Sequence, residues 1–535
     1  MHSSTKSNLL VASCYAGILA LGMVVGPKFG RESDAAKTGD FTPFSASPEK
    51  IDQVLGIIEE NYVDPVKADT LQNLAINQIL SHLDPHSSYL PPVKAREQSQ
   101  DLEGKYYGIG VEYTVLNDTM LITSVKTGPA EKAGIKAGDK ITAIEGKNIT
   151  GAQISSEKIV PLIKGRAGTV VNLRVKGRET NREKDVLVKR DKITVSSIDA
   201  AYMLTPTVGY VKISKFGART DDDFALEVNR LQQENMKSLV VDLRHNGGGY
   251  LSAATALADE FLPDKQLIVY TQGEHEPRTD YFATKSGKFE QGKLVLLIDE
   301  TTASASEVVA GAIQDLDRGI VIGRRSFGKG LVQEQFNFGD GSALNLTIAR
   351  YYTPLGRSIQ RPYKMKPKDY FDEASKRLEK PEVNPVRVKD SVSDKRNSYK
   401  TGLGRTLYGG GGITPDIFIP VDTSAFNSFY YALRARGLLT EFLFSRLVNG
   451  YHPTSLKQII NEFNLSDAQY RQLIALALKK GIKTTGRTVE IARAAINTEI
   501  KALLAKVYFD QESYFKVLNA SDKAIARSLQ ELKQP

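Results

Sequence analysis

Ser304 and Lys329 are the residues whose types and spacing most directly suggest chemistry in this 535-residue chain. Both lie in the stretch Thr301–Gln333, TTASASEVVAGAIQDLDRGIVIGRRSFGKGLVQ. Ser304 precedes the apolar run Val308–Ile313 and so falls in the first turn of an expected helix. Free backbone N–H groups and positive potential at such a turn suit an oxyanion forming on an attacked carbonyl. Lys329 sits between Gly328 and Gly330, far enough along the chain for a helix, a turn and a strand to bring it back to Ser304. A serine hydroxyl is a poor nucleophile until a base takes its proton, and a desolvated neutral lysine can take it. Near pH 7 that base must fall about 3 units from about 10.4, at a cost of roughly 4–5 kcal/mol. Burial can supply this and a surface position cannot, so burial of Lys329 is a condition of the reading.

Other roles compete for the same residues. Ser304 or Ser306 can simply cap the helix. Gly323–Gly330 is one residue away from a phosphate-binding G-x-x-x-x-G-K-[ST] loop, and it follows an expected strand, Gly319–Ile322. Gly330 replaces the hydroxyl that would hold Mg²⁺, however, and Leu331–Phe338 reads as a strand where that loop needs a helix. Nucleotide binding is therefore the weaker alternative. His245, beside the glycines, invites a Ser–His reading, but no second His–Asp pair is evident in the sequence and Lys329 already fills the role of base.

Strand–loop–helix repeats position these residues. Across Ile193–Val421 the runs Val208–Ile213, Leu239–Leu243 and Lys293–Ile298 read as strands, with helices expected over Asp221–Glu234 and Leu251–Phe261. Such alternation makes an α/β layered core with loops at the strand ends. Pro362–Thr401 interrupts it with a polar, lysine-rich stretch that reads as an exposed insertion. Upstream, Gly104–Lys192 carries short β-rich runs, Ile109–Thr114, Met120–Val125, Lys140–Ile144, Val170–Val175 and Asp185–Lys189. Helices are expected there over Pro129–Gly134 and Ile154–Ile163. This region resembles a PDZ domain through Tyr107-Gly108-Ile109-Gly110-Val111 and the run GPAEKAGIKAGDKITAIEG. The resemblance implies that the Tyr107–Val111 loop offers N–H groups to a peptide carboxylate while a strand edge pairs with the peptide; the plainer role is that of a spacer.

The chain as a whole resembles the carboxyl-terminal processing, or tail-specific, proteases over about Ser47–Pro420. The carrying motifs are the PDZ-like run, Asp242-Leu-Arg-His-Asn-Gly-Gly-Gly249, Ser304-Ala-Ser-Glu307, Phe327-Gly-Lys-Gly-Leu-Val-Gln333 and Tyr352-Thr-Pro-Leu-Gly-Arg357. The resemblance implies a serine endopeptidase in which Ser304 is the nucleophile, Lys329 its base and Gln333 the group that orients the lysine. It implies oxyanion donors from Gly247 or Gly248 and from the Ala305 amide. Asp242 and Arg244 are expected to hold the glycine loop, Glu307 and Asp315 to satisfy helix-end or loop donors, and Ser326 to bond near Lys329. A catalytically inactive PDZ adaptor on the same scaffold is disfavoured by the intact Ser304, Lys329 and Gln333 set. The insertion and the helical tail beyond Ala425 depart from the family's motifs, which leaves oligomeric state and regulation open.

The expected organisation is a multidomain α/β chain. A signal peptide or signal anchor (1–30) and a linker (31–47) lead to an N-terminal helical segment (48–95). A PDZ-like β-rich domain (96–192) precedes an α/β layered protease core (193–424, with the insertion at about 362–401), and a C-terminal helical domain (425–535) follows. Leu9–Val25 is apolar almost throughout and suggests export with an uncleaved membrane anchor in a cell envelope or periplasm. The only cysteine, Cys14, lies in that run, so the exported part has neither disulfide nor thiol chemistry. Six scattered histidines argue against a metal site, and no cofactor is expected. The net charge of +9 comes from scattered residues, which disfavours a nucleic-acid partner. The expected partners are protein or peptide substrates with free C-termini and, through the N-terminus, a membrane; a homo-oligomer is compatible with the sequence.

Overall fold

Apolar runs that would be buried on both faces of a sheet set the architecture of the largest region. In the computed structural model, Val208–Ile213, Ser238–Asp242, Lys293–Ile298, Ile320–Gly323 and Ile417–Phe418 lie side by side in parallel, with Ile198–Thr205 antiparallel at the edge. The structure describes residues 49–151, 154–284, 286–363, 367–379, 398–421 and 426–533. The expected signal or anchor segment and the linker lie outside these residues. No helix among the described residues is long and apolar enough to cross a membrane.

Three parallel strands that are neighbours in space carry the chemistry-bearing loops at their C-terminal ends. Ser238–Asp242 runs into the glycine loop, Lys293–Ile298 into the turn before Ser304, and Ile320–Gly323 into the loop bearing Lys329. The carboxyl ends of neighbouring parallel strands are where α/β sheets build ligand crevices, so a long separation in sequence becomes proximity. The helices Thr220–Gln233, Leu251–Asp259 and Ala305–Asp315 cover one face of the sheet, over Val211, Leu239, Val241, Leu296 and Ile298.

A second, antiparallel sheet flanks the crevice. Ala343–Tyr352 pairs with Ser88–Leu90, with Leu267–Gln272 and with Leu331–Asn337, the strand that follows Lys329. Because Leu331–Asn337 is a strand, the helix that a phosphate loop needs after its lysine is not there.

The β-rich region that resembles a PDZ domain is an antiparallel sheet in the order Val111–Leu116, Thr119–Val125, Lys140–Ile144, Val170–Lys176, Glu183–Lys189. Alternation places Val171, Leu173 and Val175 inward. The helices Pro129–Lys132 and Ser156–Ile163 stand where turn chemistry and periodicity put them. Glu49–Asn61 and Ala68–Ser81 are helical, as their 3.6-residue patterns predict.

The insertion is not simply exposed. Pro367–Glu379 forms a helix whose Tyr370 is 1% accessible. The Arg361 guanidinium lies 3.8 Å from the Phe327 ring centroid and 4.0 Å from that of Tyr370, and it pairs with Glu373. Arg377 donates to Ser326 O at 2.9 Å. A polar composition hid this packing because arginine stacked on aromatic rings, not an aliphatic stripe, docks the helix.

The C-terminal region is helical from Ser428 to Lys533 but packs in two places. Residues 429–517 share a core built on Phe429, Leu443, Leu473, Ile496 and Leu504. The last helix, Lys523–Lys533, packs instead on the largely parallel six-stranded sheet.

Candidate active site

The glycine loop is built around a buried amide. Asn246 is inaccessible; its Nδ2 donates to Ile213 O at 3.1 Å and its Oδ1 accepts from Gly248 N at 2.9 Å. Its carbonyl accepts from Ala303 N at 3.0 Å and from Ser306 Oγ at 3.0 Å, tying the loop to the Ser304 turn. Gly248 (φ 105°) has to be glycine, since a Cβ there would stand 2.8 Å from Ser304 Cβ. Its N–H is already used by Asn246, so of the two glycines only Gly247 has an amide without a hydrogen bond among the described residues.

Ser304 adopts φ 57° and ψ −119°, a conformation that costs a non-glycine residue on the order of 1–3 kcal/mol and persists only where neighbours enforce it. Three contacts enforce it here. Its N–H donates to Glu307 Oε2 at 2.8 Å, its carbonyl accepts from the Tyr351 hydroxyl at 3.1 Å, and Ala303 is held by Asn246. The helix Ala305–Asp315 then begins, and the Ala305 N–H is one of its first-turn donors with no hydrogen bond among the described residues.

Lys329 enters the same cleft from the other side. The cleft, of about 570 Å³, is lined by Gly247, Gly248, Ser304, Ala305, Lys329 and Gln333 among others. Burial lowers the Lys329 pKa from its ordinary 10.5, against the opposing pull of Asp84 and Glu307. The amine donates to Gln333 Oε1 at 2.7 Å, and Gln333 Nε2 donates to His86 O at 2.5 Å. Ser304 and Lys329 share the cleft without a hydrogen bond between them among the described residues. His86 is held neutral, its pKa pushed down to about 3 by burial and then by the Lys329 charge. Its Nε2 lies 3.0 Å from the Tyr370 hydroxyl, so the insertion helix reaches the lysine through His86 and Gln333.

Glu307 joins the two halves. Oε2 accepts from Ser304 N and Lys329 N, both at 2.8 Å, and Oε1 accepts from Gly328 N at 2.7 Å and from Ser326 Oγ. Burial raises its pKa to about 7 although these donors favour the carboxylate. A carboxyl that is largely protonated below neutrality gives little support to a lysine cation. The unfolded chain releases this proton near 4.5 and the native state near 7, so the native state binds more protons between those values. The stabilisation is complete below pH 4.5 and lost as pH rises through 7, roughly 3 kcal/mol in all. Urea unfolding across that window should show the wild type losing about this much relative to Glu307→Gln; parallel pH dependences would contradict the assignment.

Other expected residues fall where the fold, rather than the cleft, needs them. Asp242 is fully buried; burial raises its pKa, but Arg244 and Lys212 outweigh that and hold it below the carboxylate range. Arg244 Nη2 donates to Asp242 Oδ2 at 2.7 Å. Ser326 Oγ links Glu307 to Ile413 N. Asp315 sits at the far end of its helix, where it accepts from Leu355 N at 3.0 Å and pairs with Arg357 at 2.5 Å, so it braces the helix away from Ser304. His245 does face a carboxylate, contrary to expectation: its Nδ1 is 3.1 Å from Asp299 Oδ2. That pair lies outside the residues lining the cleft. Tyr107–Val111 is not one loop as expected: Tyr107 and Gly108 pair as a strand with Lys192 and Asp191, while Ile109 and Val111 are buried in the core of the β-rich domain, and the Ile109 and Gly110 N–H groups make no hydrogen bond among the described residues.

Sequence reasoning missed Asn246, Tyr351, His86 and Asp84. Asn246 stands inside the glycine motif, and Tyr351 directly precedes the Tyr352-Thr-Pro motif. Asp84 accepts from His86 N at 2.7 Å and Ser87 N at 2.9 Å, so the segment that ends a helix also shapes the support of Gln333.

Residues 207–368 match peptidase family S41, 121–177 match a PDZ domain, and 429–510 match a family of unknown function. A carboxy-terminal-processing protease of Bartonella bacilliformis is 37% identical over 309 residues, 57% of this chain and 70% of that protein. The carboxy-terminal processing protease CtpB of Bacillus subtilis is 32% identical over 342 residues, 62% of this chain and 71% of that protein. Among solved structures, a photosystem II D1 C-terminal processing protease aligns with 28% identity and a TM-score of 0.32, over 58% of this chain and 89% of that one.

Proposed function

Because this chain belongs to the carboxy-terminal processing proteases, serine peptidases of family S41 with a PDZ domain, we propose that it cleaves peptide bonds with Ser304 as nucleophile and Lys329 as general base. The observation that carries this reading is a lysine amine with its pKa lowered by burial, in one cleft with a serine held at positive φ. Neutral Lys329 swings from Gln333 toward the Ser304 hydroxyl when substrate fills the cleft; catalytic hydrogen bonds commonly tighten only in the substrate complex. It takes the proton as Ser304 attacks, the Ala305 and Gly247 N–H groups donate to the oxyanion, and the lysine then protonates the leaving amine. An attacking water reverses the sequence and frees Ser304.

The PDZ domain selects the substrate by its free C-terminus, which meets the unpaired Ile109 and Gly110 N–H groups while the peptide pairs along the open edge of Val111–Leu116. The apolar segment Leu9–Val25 exports the chain and tethers it in the cell envelope. Matched peptides with free or amidated C-termini test the selection. Cleavage of the free form should be faster by about tenfold or more, the worth of one charge-assisted contact of about 1.5–3 kcal/mol. Equal rates would refute tail recognition while leaving the hydrolase intact.

A further inference from the structure

The helix Lys523–Lys533 lies outside all three matched segments, yet the protease sheet is incomplete without it. Tyr210, Val240, Val295, Leu297 and Ile322 point away from the three helices that cover the other face, and all are inaccessible. Ala524 and Ile525, with the flanking Phe515, Leu529 and Leu532, are what cover them. Parallel strands are stable only when both faces are buried, so this segment supplies the second layer.

The start of the helix also carries a charge. Asp522 Oδ1 accepts from Ala524 N at 2.7 Å and Ile525 N at 3.1 Å, capping the helix, while Oδ2 accepts from Arg244 Nη1 at 2.6 Å. Arg244 in turn grips the buried Asp242, whose Oδ1 lies 3.6 Å from the Lys212 amine. Lys212 also donates to the Arg244 carbonyl, and the Tyr210 hydroxyl donates to Asp242 Oδ2 at 2.8 Å. Asp242 thus lies between Lys212 and Arg244, Asp199 also acts on Lys212, and Asp522 is the carboxylate outside the sheet that meets Arg244 directly. Two residues beyond Arg244, Asn246 fixes Gly248 and Ala303.

We propose that Asp522 is a positioning residue of the peptidase: through Arg244 it holds the loop Asn246–Gly249 in register with Ser304, which makes the last helix part of the catalytic unit. The inference rests on the glycine loop being the oxyanion binder. Asparagine keeps the capping oxygen but removes the charge, so Asp522→Asn in the full chain separates the link from folding of the helix. The expected result is a fall in kcat of about tenfold to hundredfold with KM little changed. Affinity for a peptide aldehyde, which places an oxyanion in the cleft, should weaken by a similar factor, and Asp522→Glu should recover part of both. Amide hydrogen exchange over 245–249 should accelerate in Asp522→Asn. Unchanged kcat together with unchanged exchange would overturn the proposal, as would a fall in kcat that disappears once rates are normalised to the folded fraction measured by circular dichroism on the same preparation. If the wild-type chain hydrolyses no peptide, the peptidase reading falls, and the exchange measurement alone decides whether Asp522 holds the loop: faster exchange supports the link and unchanged exchange refutes it.

Discussion

Ser304→Ala should lower kcat by about 10⁴–10⁶-fold while the protein stays folded and still binds peptide. The size follows from the loss of the acyl-enzyme route, since the oxyanion donors and the binding cleft can supply only a small residual rate. Stability should change little. Alanine keeps the Cβ, so the strain at φ 57° is neither relieved nor increased, and the contacts that enforce it go to the backbone N–H and carbonyl of residue 304. Peptide turnover and urea unfolding on the same preparation test both halves. Turnover within tenfold of wild type would remove Ser304 from the mechanism.

Lys329→Arg should lose about 10²–10⁴-fold, the range of a general base, and should be no better than Lys329→Ala. This comparison separates two explanations that a single alanine substitution would confuse. If the cleft needs only a positive charge, arginine preserves it. If it needs a group that gives up its proton, arginine fails, because the guanidinium stays protonated above pH 12. The Gln333 Oε1 contact at 2.7 Å accepts from either side chain, so the difference should appear in kcat more than in KM. Appreciable activity in the arginine variant would argue for an electrostatic role.

Much of the site was legible because its parts are local. A serine before an apolar helical run, a lysine between glycines and a glycine loop after an apolar strand each declare themselves over a few residues. That three neighbouring parallel strands bring these loops together follows from the βα alternation. The supports were less legible because they are long-range and depend on partners. Asp84-Pro85-His86 reads as a helix stop, yet His86 O receives the Gln333 amide from 247 residues away. Asp315 reads as a residue that satisfies helix-end or loop donors, but its partners, Leu355 N and Arg357, lie about 40 residues on and nothing local names them. The polar run after Pro362 conceals a docked helix because the packing is arginine against aromatic rings. The last helix reads as one more piece of a helical tail, and nothing local marks it as a cover for the sheet.

The central claim is that the Lys329 amine is neutral when Ser304 attacks. The most direct test is the titration of that amine itself, followed by NMR of isotopically labelled lysine side chains and assigned by its absence in Lys329→Met. Acylation of Ser304 by an active-site reagent, measured over the same pH range, supplies the functional curve. The account predicts a Lys329 midpoint clearly below the ordinary value of 10.5, coincident with the rise in acylation. A midpoint at or above that value, or acylation that rises on a different group's titration, would contradict it.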